Sequence, residues 1–265
     1  MSIIYLTSTS GAPGVSTLAT ALTLNWPRPS LLLEADIAKT SHILSGYLRG
    51  QYQHVQSLTE AAIANLRGGL DGEILFAQTI SLGEGRYVIP GFNDLGGARG
   101  TTSSFWANLL RAIEQLPRTA EAPNLDIIVD AGRFAPGDPR NPLIAAADAV
   151  LVVTGNTLPD IHALYAASSS FGTTLEAAGH NDYLGLTITN HPIQGQVRYS
   201  ATEISAKTGM PFIGSLPWDP ATASHYSHGG SAPAKRSPYT KALTEIITTL
   251  ERDLAGRRYT PTAQD

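Results

Sequence analysis

Thr7-Ser8-Thr9-Ser10-Gly11-Ala12-Pro13-Gly14-Val15-Ser16-Thr17 stands between an apolar run, Ile3 to Thr7, and a segment with Leu18, Ala21 and Leu22 at helical spacing. A small-residue turn joining a strand to a helix aims successive backbone N–H groups and a helix amino terminus at one point, which makes an anion nest without any charged side chain. Gly11 and Gly14 suit that turn. Ser16 stands where a phosphate loop places its magnesium-binding hydroxyl, and Thr17 where it meets an inner phosphate. Ala12 and Pro13 complete the loop, although Pro13 has no N–H and so removes one donor. The pattern calls for Lys immediately before the hydroxyl, and Val15 stands there. A tight turn that merely connects two elements is an equal reading of the same residues.

Outward from this turn, short apolar runs recur: Ser30 to Ala35, Arg86 to Ile89, Asp126 to Val129, Ala149 to Thr154, Tyr183 to Thr189 and Pro211 to Leu216. Continuous rather than alternating hydrophobicity marks strands buried on both faces, as in a parallel sheet between helices. The spacing predicts an α/β, doubly wound, mainly parallel β-sheet covered by helices on both faces. Thr157-Leu158-Pro159-Asp160 has capping-box spacing and predicts a helix from about 158 to 178. Leu243, Ile246, Ile247, Leu250 and Leu254 line one face of a final helix. With no repeat or long linker, one domain is expected over 1–256, followed by a flexible tail over 257–265. Gly91 to Thr102 and Ser227 to Pro238 are expected to be mobile loops.

Composition narrows the chemistry. Of 265 residues 42% are hydrophobic and only 15% charged, ample for a large core. Zero Cys excludes disulfides, thiolate nucleophiles, Cys-bound zinc and any cluster held by protein thiolates. A net charge of -4 provides no global attraction to nucleic acid. The start, Met1-Ser2-Ile3-Ile4-Tyr5, lacks a basic segment, and no apolar run is long enough to span a bilayer, so a cytoplasmic protein is expected. Lysine is scarce: Lys39, Lys207, Lys235 and Lys241 are the whole set.

The turn and the runs together resemble the ParA/MinD family of P-loop ATPases, a resemblance that extends over nearly the whole chain. That family's Walker A loop carries two lysines, replaced here by Ser10 and Val15. Leu31-Leu32-Leu33-Glu34-Ala35-Asp36 is similar to the family's second strand with its paired acids, and Asp36 is then implied as the catalytic acid acting on water and the magnesium shell. Leu125-Asp126-Ile127-Ile128-Val129-Asp130 is similar to Walker B, which implies Ser16 and Asp130 as magnesium ligands. The following Ala131-Gly132-Arg133 departs from the family's Thr-Pro-Pro. Ala147 to Thr154 with Pro159 is similar to its next strand and helix, and Asn190, Pro217 and Asp219 fall where the base is met.

The resemblance implies ATP and Mg2+ as cofactors. With both lysines gone, their binding is expected to be weak or lost, because phosphate sites and phosphoryl transfer depend on placed cations. Arg133 is the candidate replacement. The expected function is that of a pseudo-ATPase acting through protein contacts in intracellular positioning, DNA partition or secretion or pilus assembly. The rival is an active ATPase cycling between monomer and ATP-bound dimer in chromosome or plasmid segregation. A small-molecule kinase or ligase on the same fold ranks last, since no acceptor site is evident.

A protein partner is expected, and a homodimer independent of ATP, because Ser10 replaces the lysine that reaches across the family's dimer. DNA is the remaining candidate partner, through Lys235, Arg236, Lys241, Arg252, Arg257 and Arg258, although Glu245, Glu251 and Asp253 make a solvated face the alternative. The polar ending argues against a membrane anchor. Trp218 is read as a stacking platform or a packed side chain, and His225 with His228 as solvated rather than metal-binding.

Overall fold

The computed structural model describes residues 1–11, 13–116, 125–135, 137–177, 184–190, 192, 199–234 and 236–258. The elements run in the order β1 (Ile3–Ser8), α1 (Val15–Asn25), β2 (Ser30–Glu34), α2 (His42–Ser45), α3 (Leu58–Leu66), α4 (Gly72–Phe76), β3 (Ile80–Gly83), β4 (Arg86–Ile89), α5 (Leu95–Arg99) and α6 (Ser103–Gln115). They continue with β5 (Asp126–Arg133), α7 (Asn141–Ala145), β6 (Ala149–Gly155), α8 (Leu158–Ala177), β7 (Leu184–Thr189), α9 (Ala201–Thr208), β8 (Phe212–Leu216), α10 (Pro220–His228) and α11 (Pro238–Arg258). Among the described residues these strands form one sheet in the order β3-β4-β2-β5-β1-β6-β7-β8. Every pairing is parallel except that of β3 with β4.

The unbroken apolar runs are explained by two cores, one on each face of the sheet. Along β1, Ile3 and Tyr5 enter one core and Ile4 and Leu6 the other. The same alternation divides Leu31 and Leu33 from Leu32, Ile127 and Val129 from Ile128, and Val150 and Val152 from Leu151 and Val153. A strand covered on both sides has no solvent face, so a two-residue period has nothing to record. Trp106, Leu164 and Phe171 cover the first face, whereas Leu18, Tyr226 and the stripe Leu243, Ile246, Ile247, Leu250 and Leu254 cover the second.

Three local expectations differ from what the chain does. Strand β3 was not among the predicted runs, since it is four residues long and half exposed at the sheet edge; it reaches β4 through a turn with positive φ at Glu84 and Gly85. The glycine-rich Gly91 to Thr102 contains helix α5, whose amino terminus is capped by Asp94 accepting from the Gly97 N–H at 2.6 Å. Helix α11 runs through Arg258, past the boundary expected at 256, and 259–265 lie outside the described residues. Among the described residues no helix is long and apolar enough to cross a membrane.

The order reverses at β1, which lies between β5 and β6. In open parallel sheets, loops at such a switch point splay apart beyond the carboxyl ends of the strands and leave a crevice. The loop after β1, the residues after β2 and the end of β5 all meet there.

Candidate functional site

The loop after β1 enters α1 through Gly14, whose φ of 97° is left-handed backbone that a glycine adopts without cost. No side chain caps this helix, so its first backbone N–H groups are left uncapped at the crevice. The loop is held from outside: Thr189 Oγ1 donates to the Pro13 carbonyl at 2.8 Å. Ser10, at the place of the family's early lysine, is engaged within its own chain, donating to Asp160 Oδ1 at 3.0 Å, while Thr157 holds the other oxygen of that carboxylate at 2.5 Å. Val15 is buried in the second core among Ile4, Leu6 and Leu18. Its side chain is therefore packed into the core and brings no charge to the loop. Ala12 lies outside the described residues.

A cleft of about 600 Å³ opens in front of this loop, lined by Gly11, Pro13 to Thr17, Asp36, Lys39, His42, Gly132 and Arg133. Strand β2 delivers Asp36 and strand β5 delivers Asp130. Gly132, at φ 59°, lets the two approach, since a Cβ there would lie 2.2 Å from the Asp36 carboxyl carbon. Asp130 accepts from the Gly132 N–H at 3.1 Å, and Asp36 from the Ala38 N–H at 2.8 Å. Burial and the neighbouring Asp130 hold the Asp36 carboxyl above its ordinary value, against the Ala38 N–H and Lys39.

Lys39 is the residue that sequence reasoning missed. Its ammonium donates to Ser16 Oγ and lies 3.4 Å from Asp130 Oδ2 and 3.6 Å from Asp36 Oδ2. Burial disfavours its charge, but Asp130, Asp36 and Glu34 outweigh it and hold the pKa above that of an ordinary lysine. Ser16, Asp36 and Asp130 are the oxygens that the sequence resemblance assigns to magnesium and its shell. Magnesium requires such oxygens at about 2.0–2.1 Å in an octahedron. An ammonium hydrogen-bonded to Ser16 and ion-paired with both carboxylates occupies that position, so these residues, as arranged, do not fit the metal. The sequence signal was the scarcity of lysine, with one of four placed three residues after Asp36.

Two buried groups position this cluster. Glu34 accepts from His42 N and Ile43 N at 2.8 Å, from Gly91 N at 3.0 Å and from Ser41 Oγ, tying down the segment that carries Asp36 and Lys39. Arg140 is buried against Asp138, with Nε 2.7 Å from Oδ1, and donates to the carbonyls of Ala35 at 3.1 Å, Arg133 at 2.9 Å and Ala131. It joins the ends of β2 and β5. Burial alone lowers the basicity of Arg140, but Asp138 and the other acids overcome it. His42, at the cleft wall, is held below the ordinary histidine value by burial and by Lys39.

Arg133 is exposed at the rim of the cleft. Beside the cleft, and sharing Pro13, Gly14 and Thr17 with it, lies a more apolar cavity of about 330 Å³ walled by Leu216, Pro217, Trp218, Asp219 and Tyr239. Trp218 is half exposed there. Asp219 caps α10, accepting from Thr222 N at 3.0 Å and Thr222 Oγ1 at 2.6 Å. Asn190 is turned to Asn156, whose amide donates to it at 3.2 Å, and its neighbour Thr189 lines the cavity. His225 faces the Gly230 carbonyl at 2.8 Å and His228 faces Ser227 Oγ at 2.7 Å; among the described residues no group of acids and histidines is arranged to hold a metal ion. Of the terminal basic residues, Arg252 lies 3.4 Å from Asp253, and Lys235 and the side chains of Arg257 and Arg258 lie outside the described set.

A mainly parallel sheet with its loop, acids and crevice at one switch point is the ParA/MinD-like fold of P-loop NTPases. Solved structures with that fold include a ParA family ATPase from Chlorobium tepidum TLS, at TM-score 0.70 and 16% identity over 94% of this chain and 98% of that one. The septum site-determining protein MinD complexed with Mg-ADP from Pyrococcus horikoshii OT3 gives 0.68 and 15%, covering 98% and 99%. The MinC:MinD cell division protein complex of Aquifex aeolicus gives 0.67 and 16%, covering 95% and 96%. No family model and no curated protein matches the sequence.

Proposed function

We propose that this chain is a cytoplasmic ParA/MinD-like P-loop protein with a degenerate Walker A loop, a pseudo-ATPase acting through protein contacts. The process it serves is intracellular positioning, DNA partition, or secretion or pilus assembly. The observation that carries this reading is the fate of the two lysine positions: Val15 is buried in the core and Ser10 is bonded to Asp160. The nearest lysine, Lys39, is committed to Asp36 and Asp130. A triphosphate brings about four negative charges, and here the loop offers backbone N–H groups and the Ser16 and Thr17 hydroxyls against them but no cation. Assembly with a partner is supported by the similarity to MinD, which is found with MinC in the Aquifex complex.

Calorimetric titration with magnesium ATP and with a non-hydrolysable analogue, using Ser16→Ala as control, tests the reading. The expected result is no saturable heat in the micromolar range. Micromolar binding that Ser16→Ala abolishes overturns it and favours the active ATPase, for which exposed Arg133 at the cleft rim is the candidate cation; Arg133→Ala then lowers affinity and turnover. The assembly expected is a homodimer formed without nucleotide, because Ser10 cannot link ATP to a partner subunit. Light scattering of the nucleotide-free protein then gives a dimer mass at high concentration, and a monomer there contradicts it.

A further inference from the structure

We propose that Lys39 is an internal replacement for the divalent cation: its ammonium fills the position among Ser16, Asp36 and Asp130 and keeps metal ions out. The inference rests on the reading above, that Gly11 to Thr17 is a phosphate loop without its lysines. An ammonium has three N–H donors, and three side chains surround this one, namely Ser16 by hydrogen bond, Asp130 at 3.4 Å and Asp36 at 3.6 Å. Two carboxylates converging at the end of adjacent strands repel each other unless a cation lies between them. Here the chain supplies that cation from its own sequence. The segment bearing it is pinned, since Glu34 accepts from His42 N and Ile43 N, eight and nine residues further on and just beyond Lys39. The lysine is therefore presented to the acids from a fixed backbone.

The consequence is specific to metal binding. A divalent ion entering this cluster has to displace an ammonium from all three partners, whereas a chain without that ammonium leaves two acids and a hydroxyl open to it. Paramagnetic broadening by Mn2+ in the nuclear magnetic resonance spectrum of the labelled full chain detects even weak binding at the site. In the unmodified chain the amide signals of Ser16 and Gly132 persist as Mn2+ is added. In Lys39→Ala the Mn2+ concentration that halves them falls by about tenfold or more, the effect of removing a close positive charge. Lys39→Gln, which keeps the length and loses the charge, gives the same result if the alanine variant does not fold. Equal broadening in the unmodified and variant chains, or persistence in both, overturns the proposal. ATP titration in the presence of EDTA separates the two readings. Tight metal-free ATP binding contradicts weak nucleotide binding and leaves Lys39 in its role. Broadening of the unmodified chain without ATP binding contradicts Lys39 and leaves the pseudo-ATPase reading intact.

Discussion

Arg140→Ala loses roughly 3–5 kcal/mol of unfolding free energy, the cost of leaving a buried carboxylate without its partner. The carboxylate is Asp138, which is as deeply buried as the arginine. The guanidinium also supplies the donors for the carbonyls of Ala35, Ala131 and Arg133, so its removal opens the junction between β2 and β5 at the point where Asp36 and Asp130 are set. Arg140→Lys recovers only part of the loss, because a single ammonium cannot reproduce a planar fork serving Asp138 and three carbonyls. Urea unfolding of the three proteins checks this. A loss under about 1 kcal/mol, the size of a surface pair, contradicts the structural role.

Glu34→Gln is expected to cost about 3 kcal/mol, since one carboxylate oxygen becomes an amide that cannot accept, and buried N–H donors left without acceptors are each worth about 1–3 kcal/mol. The four donors divide evenly, His42 N and Ile43 N on Oε1 and Gly91 N and Ser41 Oγ on Oε2, so one orientation of the amide strands two backbone N–H groups and the other strands Gly91 N, the Ser41 hydroxyl being able to turn and accept. Burial raises the Glu34 carboxyl above the ordinary glutamate value, and the Ser41, Gly91 and Ile43 donors draw it back. In hydrogen exchange, the His42, Ile43 and Gly91 amides of the variant exchange about tenfold faster or more, as local opening becomes easier. Unchanged protection at all three amides contradicts the account. Glu34 therefore acts as an anchor for the Asp36 and Lys39 segment.

The strands of the sheet interior were legible because each is apolar without interruption, and such a run has few alternatives to burial on both faces. Helix α8 was legible from the Thr157 to Asp160 spacing, and α11 from its stripe. Strand β3 was not, because a four-residue edge strand takes its stability from pairing with β4 rather than from its own pattern. The loop stood out as a candidate because a small-residue turn between strand and helix is marked locally, and Asp36 and Asp130 stood out through the resemblance to the ParA/MinD family. Lys39, Asp138 and Arg140 were not, since a charged residue in a connecting segment carries no sign of where its side chain ends.

The sequence by itself determined the order and burial of the main strands, the absence of thiol chemistry, and the loss of lysine from the loop. Each follows from residue type and local period, which need no knowledge of distant contacts. Only the tertiary structure decided where the remaining charges go. Ser16 lies on α1 and Lys39 in the connection from β2 to α2, Asp130 is separated from Lys39 by 91 positions, and their meeting depends on β2 pairing with β5 beside β1. Electrostatic interaction depends on separation in space, so a lysine with no role assigned from the sequence becomes the centre of the site once the sheet brings two acids to it.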